Sequence, residues 1–282
     1  MIQEDYDRFR AFLEEACGIT LGDNKQYLIS SRLNPLLAEY QIPSLGALIE
    51  RLEKDRRSGL YERIVDAMTT NETLWFRDAF PFELLKQVIL PEQAKARVPG
   101  MRIWSAACSS GQEPYSISMI VEEFQRANPG ALANNVQIIA TDLSSSMLEQ
   151  ARTGSYDAAA MARGLSEERK RLFFSERHGR WELREDLRRR VTFSEHNLQL
   201  GFEPLGKFQV IFCRNVLIYF SADLKRSILT RFAAVLHPGG YLFLGSAEAI
   251  TGYSDDFEML RLPQGIVYRL KRAATVARPA TG

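Results

Sequence analysis

Two short stretches combine small residues with a lone carboxylate. In IWSAACSSGQEPYSI, residues 103–117, Ala106, Ala107, Ser109, Ser110 and Gly111 let the backbone approach a ligand closely, and Glu113 opens what reads as a helix. In IIATDL, residues 138–143, a strand-like run ends on Asp142, where an acidic side chain can accept both hydroxyls of a ribose. A pyrophosphate site would need G-x-G-x-x-G before the helix, so that phosphates reach exposed backbone N–H groups. Those glycines are mostly missing, and a carboxylate at that mouth repels phosphate while suiting an ammonium or a sulfonium. The pair points to a nucleoside with positive rather than negative attachments, a description that S-adenosylmethionine meets. Each residue also has a plainer use: Asp142 as the cap of the helix beginning SSSMLEQ, and Glu113 as a first-turn complement to a helix dipole.

The elements that must position these groups follow from periodicity. Up to about Thr70 the pattern is helical, with Phe9, Phe12 and Leu13 on one face, Leu28, Ile29, Leu33, Leu36 and Leu37 on a second, and Leu45, Leu48, Ile49 and Leu52 on a third. Ser44 suits an N-cap, and Gly18 and Gly22 punctuate the first connection. After Pro99-Gly100, strands (101–106, 136–140, 207–213, 241–244) alternate with helices (115–124, 144–151, 223–236), which predicts a mostly parallel sheet covered on both faces. FEMLRLPQGIVYRLK predicts a hairpin closing the sheet edge. Between 156 and 194 a charged helix and a hairpin turning near His178-Gly179 read as an insertion, and the tail of about 273–282 is expected to be disordered.

Composition narrows the partners. With 36 Lys and Arg against 35 Asp and Glu, no overall field drives binding to nucleic acid or membranes, so partners must be met by local patches. The three cysteines lack zinc or disulfide spacing, and Cys108 and Cys213 read as small packed residues near strand ends. A reducing cytoplasm is expected. His178, His196 and His237 are scattered, show no metal-ligand spacing and read as structural; no metal is expected.

RIWSAACSSGQEPYSISM, ATDLSSSML, FSEHNL, FCRNVLIYF and the preceding TTNETLWFRD together resemble the CheR family, the S-adenosylmethionine-dependent methyltransferases of chemotaxis-receptor glutamates. The resemblance implies an α/β fold: a class I methyltransferase domain (71–282), Rossmann-like with a mostly parallel seven-stranded sheet and a small inserted β-subdomain, behind an all-helical domain (1–70). It further implies that Asn71, Thr73 and Arg77 close over the methionine end of the cofactor and that Glu113 faces its amino group. Asp142 would hold the ribose, Asn197 and Leu198 would border the adenine, and Ala106, Arg214 and Asn215 would line the cleft. Arg77 and Tyr219 match the residues that the family sets beside the transferred methyl. Arg77 suits either the cofactor's carboxylate or the substrate's. The product would be S-adenosylhomocysteine.

The implied partner is the acidic helical methylation region of membrane chemoreceptors, met by a monomeric, cytoplasmic protein recruited to receptor arrays. Candidate docking cations are Lys25, Arg32, Arg51, Lys54, Arg56 and Arg57. Some family members hold a receptor's C-terminal peptide through a Gly-x-Gly turn in the β-subdomain. Here SERHGRWEL has a single glycine, so independence of that tether is expected. A nicotinamide enzyme should show the glycine fingerprint, and an amino-methylating nucleic-acid enzyme commonly carries Asn or Asp before Pro-Pro-aromatic, where this chain reads Arg214-Asn215-Val216-Leu217. A non-catalytic, cofactor-binding adaptor of a receptor array is the remaining alternative.

Overall fold

In the computed structural model of the protein, residues 2–55, 59–97, 99–132, 136–263 and 265–272 are described. The expected tail and the docking candidates Arg56 and Arg57 lie outside them. Four helices come first: α1 (Gln3–Cys17), α2 (Gln26–Glu39), α3 (Leu45–Lys54) and α4 (Gly59–Met68). Tyr6, Phe9, Phe12 and Leu13 make the buried stripe of α1, and full burial of each such side chain stabilises by about 1.5–3 kcal/mol. Gly18, at φ 78°, ends α1 in the left-handed conformation and returns its N–H to the Glu14 carbonyl. Ser44 caps α3 as expected, accepting from the Ala47 N–H at 3.2 Å.

Residues 80–95, which periodicity leaves unassigned, form α5 (Phe80–Leu84), a π-helical turn (Leu85–Ile89) and α6 (Leu90–Lys95). Pro81 sits in the first turn of α5, where the missing N–H goes unused, and Pro91 comes just after the π-helical turn. Then β1 (Met101–Ala106), α7 (Gln112–Ala127), β2 (Val136–Asp142) and α8 (Ser145–Thr153) alternate. The insertion comprises β3 (Ser155–Tyr156), α9 (Ala158–Met161), α10 (Glu167–Phe173), β4 (Phe174–Arg177), β5 (Arg180–Leu183) and α11 (Glu185–Arg189). The chain resumes as β6 (Val191–Glu195), β7 (Phe208–Cys213), α12 (Ala222–Val235), β8 (Leu236–Phe243), β9 (Phe257–Leu262) and β10 (Gly265–Leu270).

Seven strands form one sheet in the order β6-β2-β1-β7-β8-β10-β9. The first five run parallel, whereas β10 is antiparallel to both β8 and β9. The order reverses between β1 and β7, and ligands of open sheets sit outside strand carboxyl ends at such a switch point. A second sheet, β3-β5-β4, is the insertion's own. Its hairpin pairs Arg177 with Arg180 across His178 and Gly179, both at positive φ (51° and 74°), the conformation of a tight primed turn.

The helical domain does not stand apart. Phe9, Leu33, Leu48 and Ile64 belong to the same continuous apolar cluster as Trp104, Ile211 and Phe232. A backbone bridge between Ile19 and Phe220 joins the two parts again. Among the described residues no helix is long and apolar enough to cross a membrane.

Candidate active site

A cleft opens at the carboxyl ends of β1, β2, β6 and β7, the position where open parallel sheets bind their ligands. Asn71, Thr73, Arg77, Glu113, Asp142, Asn197, Leu198, Arg214, Asn215 and Tyr219 all line it. Ala106 does not. It ends β1 fully buried, and the neighbouring Ala107, turned to φ 61°, faces the cleft instead.

Glu113 stands in the first turn of α7, where it accepts from the Ser105 hydroxyl (2.8 Å) and from an Arg214 guanidinium N–H (3.2 Å). Burial pushes its carboxyl above the ordinary carboxylate range, with Arg214, Ser105 and Arg77 opposing the rise. Asp142 accepts from the Ser109 N–H at 2.7 Å and the Ser144 N–H at 2.9 Å, and burial raises it as well. The helix cap read as a plainer use of Asp142 comes instead from Ser144, which accepts from the Met147 N–H at 3.1 Å. Asp142 thus ties the β2 end to the β1–α7 loop and keeps lone pairs for a ligand.

Arg214 is buried, and besides Glu113 it donates to the Arg77 carbonyl (2.8 Å) and to Asp78 (2.5 Å). It fastens the linker that carries Asn71, Thr73 and Arg77 to the end of β7. Asn215 follows at φ 60°, with its side-chain oxygen buried and unpartnered. A carboxylate missed by the sequence reading holds this loop: Glu248 accepts from the Asn215 and Gly245 N–H groups, both at 2.7 Å, and from the Ile218 N–H at 3.2 Å. Asn197 donates to the Ala16 carbonyl at 2.9 Å. Cys17 and Ile19 complete the wall from the helical side, a contribution foreshadowed only by the Gly18 helix stop. His196, read as structural, also lines the cleft. Burial raises the Cys108 and Cys213 thiols and takes Cys17 to about 11, so none is a ready nucleophile.

The docking candidates do not share one environment. Lys25 and Arg51 are exposed and lie over the Tyr27 and Tyr40 rings. Arg32 is engaged internally: it donates to the Met68 and Thr69 carbonyls (2.7 and 3.0 Å) and to the Thr70 hydroxyl (3.1 Å), closing the end of α4.

Two nearly buried carboxylates and an unpartnered amide oxygen fit a ligand that brings positive charge and hydrogen-bond donors, as the ammonium, sulfonium and ribose of S-adenosylmethionine do. The sheet order and this site define a class I S-adenosylmethionine-dependent methyltransferase. Residues 4–69 match the CheR methyltransferase all-alpha domain, and residues 71–266 match the CheR methyltransferase SAM binding domain. The chain belongs to the CheR methyltransferase family, as its curated relatives also show. It is 56% identical over 95% of its length to chemotaxis protein methyltransferase 1 of Pseudomonas aeruginosa, covering 98% of that protein. Identity is 51% to chemotaxis protein methyltransferase 1 of Vibrio cholerae, over 95% of this chain and 97% of that one. It is 32% to the chemotaxis protein methyltransferase of Salmonella typhimurium, over 90% and 86%.

Proposed function

We propose that the protein transfers the methyl group of S-adenosylmethionine to glutamate side chains in the cytoplasmic helical region of chemotaxis receptors, giving glutamyl methyl esters. The observation that carries this reading is that Arg77 and Tyr219 line the same cleft as the cofactor-facing Glu113 and Asp142. When bound, the cofactor supplies an electrophilic methyl on a sulfonium. Glu113 takes the ammonium of the methionine end, Asp142 the ribose, and Asn71 and Thr73 close the linker side. Asn197 and Leu198 border the adenine, while Arg214 and Asn215 shape the floor.

A glutamate substrate has an ordinary pKa of about 4.3 and is ionised at neutral pH, so it is its own nucleophile and needs no general base. What the protein must supply is alignment and exclusion of water. Arg77 can orient a carboxylate with its planar fork, and the Tyr219 hydroxyl can donate one hydrogen bond. Arg77 also opposes the raised pKa of Glu113, and its guanidinium donates to the Glu72 carbonyl at 3.3 Å. Both groups position more than they activate, because a tight pairing would blunt the nucleophile.

Residues 1–70 serve as the receptor-facing helical domain and residues 71–282 as the methyltransferase. Among the described residues, exposed Lys25, Arg51 and Lys54 are the docking cations available for an acidic helix, whereas Arg32 serves the fold. The two-residue turn at His178-Gly179 has no Gly-x-Gly, which supports binding that does not depend on a receptor's C-terminal pentapeptide. The protein acts as a cytoplasmic monomer recruited to receptor arrays. Following methyl label from the cofactor into receptor-bearing membranes tests the reading: mild base frees a methyl ester as methanol, and an N-methyl group resists it.

A further inference from the structure

The linker is gripped from two sides. From Thr69 to Leu74, and again at Arg77, it lines the cofactor cleft. Trp75 and Phe76 turn away from the cleft into the opposite packing. Trp75 is fully buried, with its ring edge-to-face against Tyr156 of β3 (4.8 Å) and Phe174 of β4 (5.4 Å). Its backbone N–H donates to the Arg163 carbonyl at 3.1 Å. Arg163 also pairs with Glu72 at 2.8 Å, and the Arg169 guanidinium lies 3.8 Å from the centre of the Phe76 ring. Tyr156, Arg163, Arg169 and Phe174 all belong to the insertion.

Gly164 shows how close the approach is. At φ 90° it sits where an added Cβ would come within 2.1 Å of the Trp75 carbonyl oxygen and 3.1 Å of Leu74. Only glycine lets the insertion lie against the linker backbone in this way. Gly179, at the hairpin tip of the same insertion, has a similar positive φ of 74° but nothing within 4 Å of an added Cβ.

We infer that the inserted subdomain serves the cofactor site as the anchor of its linker wall, with Trp75 as the positioning residue and Gly164 as the point of close contact. This rests on the reading that the linker closes over the cofactor. Trp75 touches neither cofactor nor substrate; it acts through Asn71, Thr73 and Arg77, whose backbone it holds in place. Anchoring one end of a short segment lowers the entropy lost when the segment orders on a ligand.

The test compares Gly164→Ala with Gly179→Ala, which carry similar backbone strain in the same insertion. S-adenosylhomocysteine is titrated by calorimetry, and amide exchange of residues 69–77 is followed with and without it. The expected result is a Kd raised about tenfold or more in Gly164→Ala with loss of ligand-induced protection in the linker, while Gly179→Ala stays within about twofold and keeps that protection. A matched pair at Trp75 guards against misfolding of Gly164→Ala: Trp75→Leu should weaken binding similarly, and Trp75→Phe, which keeps an aromatic ring, should restore most of it. Equal effects of the two glycine variants, or wild-type binding by Trp75→Leu, overturn the anchor. Absence of ligand-induced linker protection in the wild-type protein overturns instead the reading on which the anchor rests.

Discussion

The Tyr219 carbonyl accepts two hydrogen bonds from Thr20, one from its N–H at 2.8 Å and one from its hydroxyl at 3.0 Å. The loop leaving α1 thus holds the backbone that presents Tyr219 to the cleft, and the helical domain helps to shape that wall. Thr20→Val removes the hydroxyl bond and keeps the shape. Losing one such bond, about 0.5–1.5 kcal/mol, should lower kcat by roughly twofold to tenfold. Steady-state kinetics with receptor membranes checks this, and calorimetry should find S-adenosylhomocysteine affinity unchanged.

Glu113 gives a prediction with a definite sign. Glu113→Gln removes a charge-assisted contact to the ligand's ammonium and leaves Arg214 facing an amide, so affinity should fall by about tenfold to a hundredfold. Burial raises the Glu113 and Asp142 carboxyls, and in the proposed function it is the ionised forms that hold the ligand. Affinity is therefore full at alkaline pH and declines on acidification, starting above the ordinary carboxylate range. Stability of the ligand-free protein responds oppositely: a carboxyl raised in the fold favours folding at low pH, and that contribution is lost as pH rises through its folded value. Calorimetric titrations carried downward from pH 8 should show the decline, and Glu113→Gln should flatten part of it.

Glu248 predicts an effect on the loop rather than on the ligand. Its carboxylate satisfies the N–H groups of Asn215, Gly245 and Ile218. Glu248→Ala abandons all three and should cost about 2–4 kcal/mol of stability, read as a lowered Tm with reduced kcat. Glu248→Gln keeps one oxygen for the two short bonds and should lose about 1 kcal/mol.

Much of the fold and site was legible because it rests on local signals. Strand–helix alternation, the edge hairpin and the turn at His178-Gly179 follow from periodicity and turn chemistry. Residues leaving the strands, from Glu113 to Asn215, converge because a parallel sheet brings all its carboxyl ends together. What escaped is long-range or conformational. The shift from Ala106 to Ala107 depends on a non-glycine residue entering positive φ, which no side chain announces. Arg32 reads as a surface cation until α4 folds back against it. The roles of Cys17, Ile19 and Glu248 exist only after distant segments have packed.

Receptor recognition should be electrostatic and untethered. Lys25→Glu with Arg51→Glu should lower kcat/KM for receptor by about tenfold at low salt, with the difference shrinking as salt screens it. Cofactor affinity should stay constant. A receptor's C-terminal pentapeptide should give no micromolar binding isotherm in calorimetry; one that does contradicts tether independence.

The most direct measurement of the central claim is the chemistry of the transferred group. Receptor-bearing membranes are incubated with the protein and methyl-labelled S-adenosylmethionine, and the receptor band is treated with mild base. The account predicts label on the receptor that is released as methanol and that falls by about tenfold or more with Tyr219→Phe, the scale of a lost transition-state hydrogen bond. Cofactor binding without label on any receptor, or label that resists base, would contradict it.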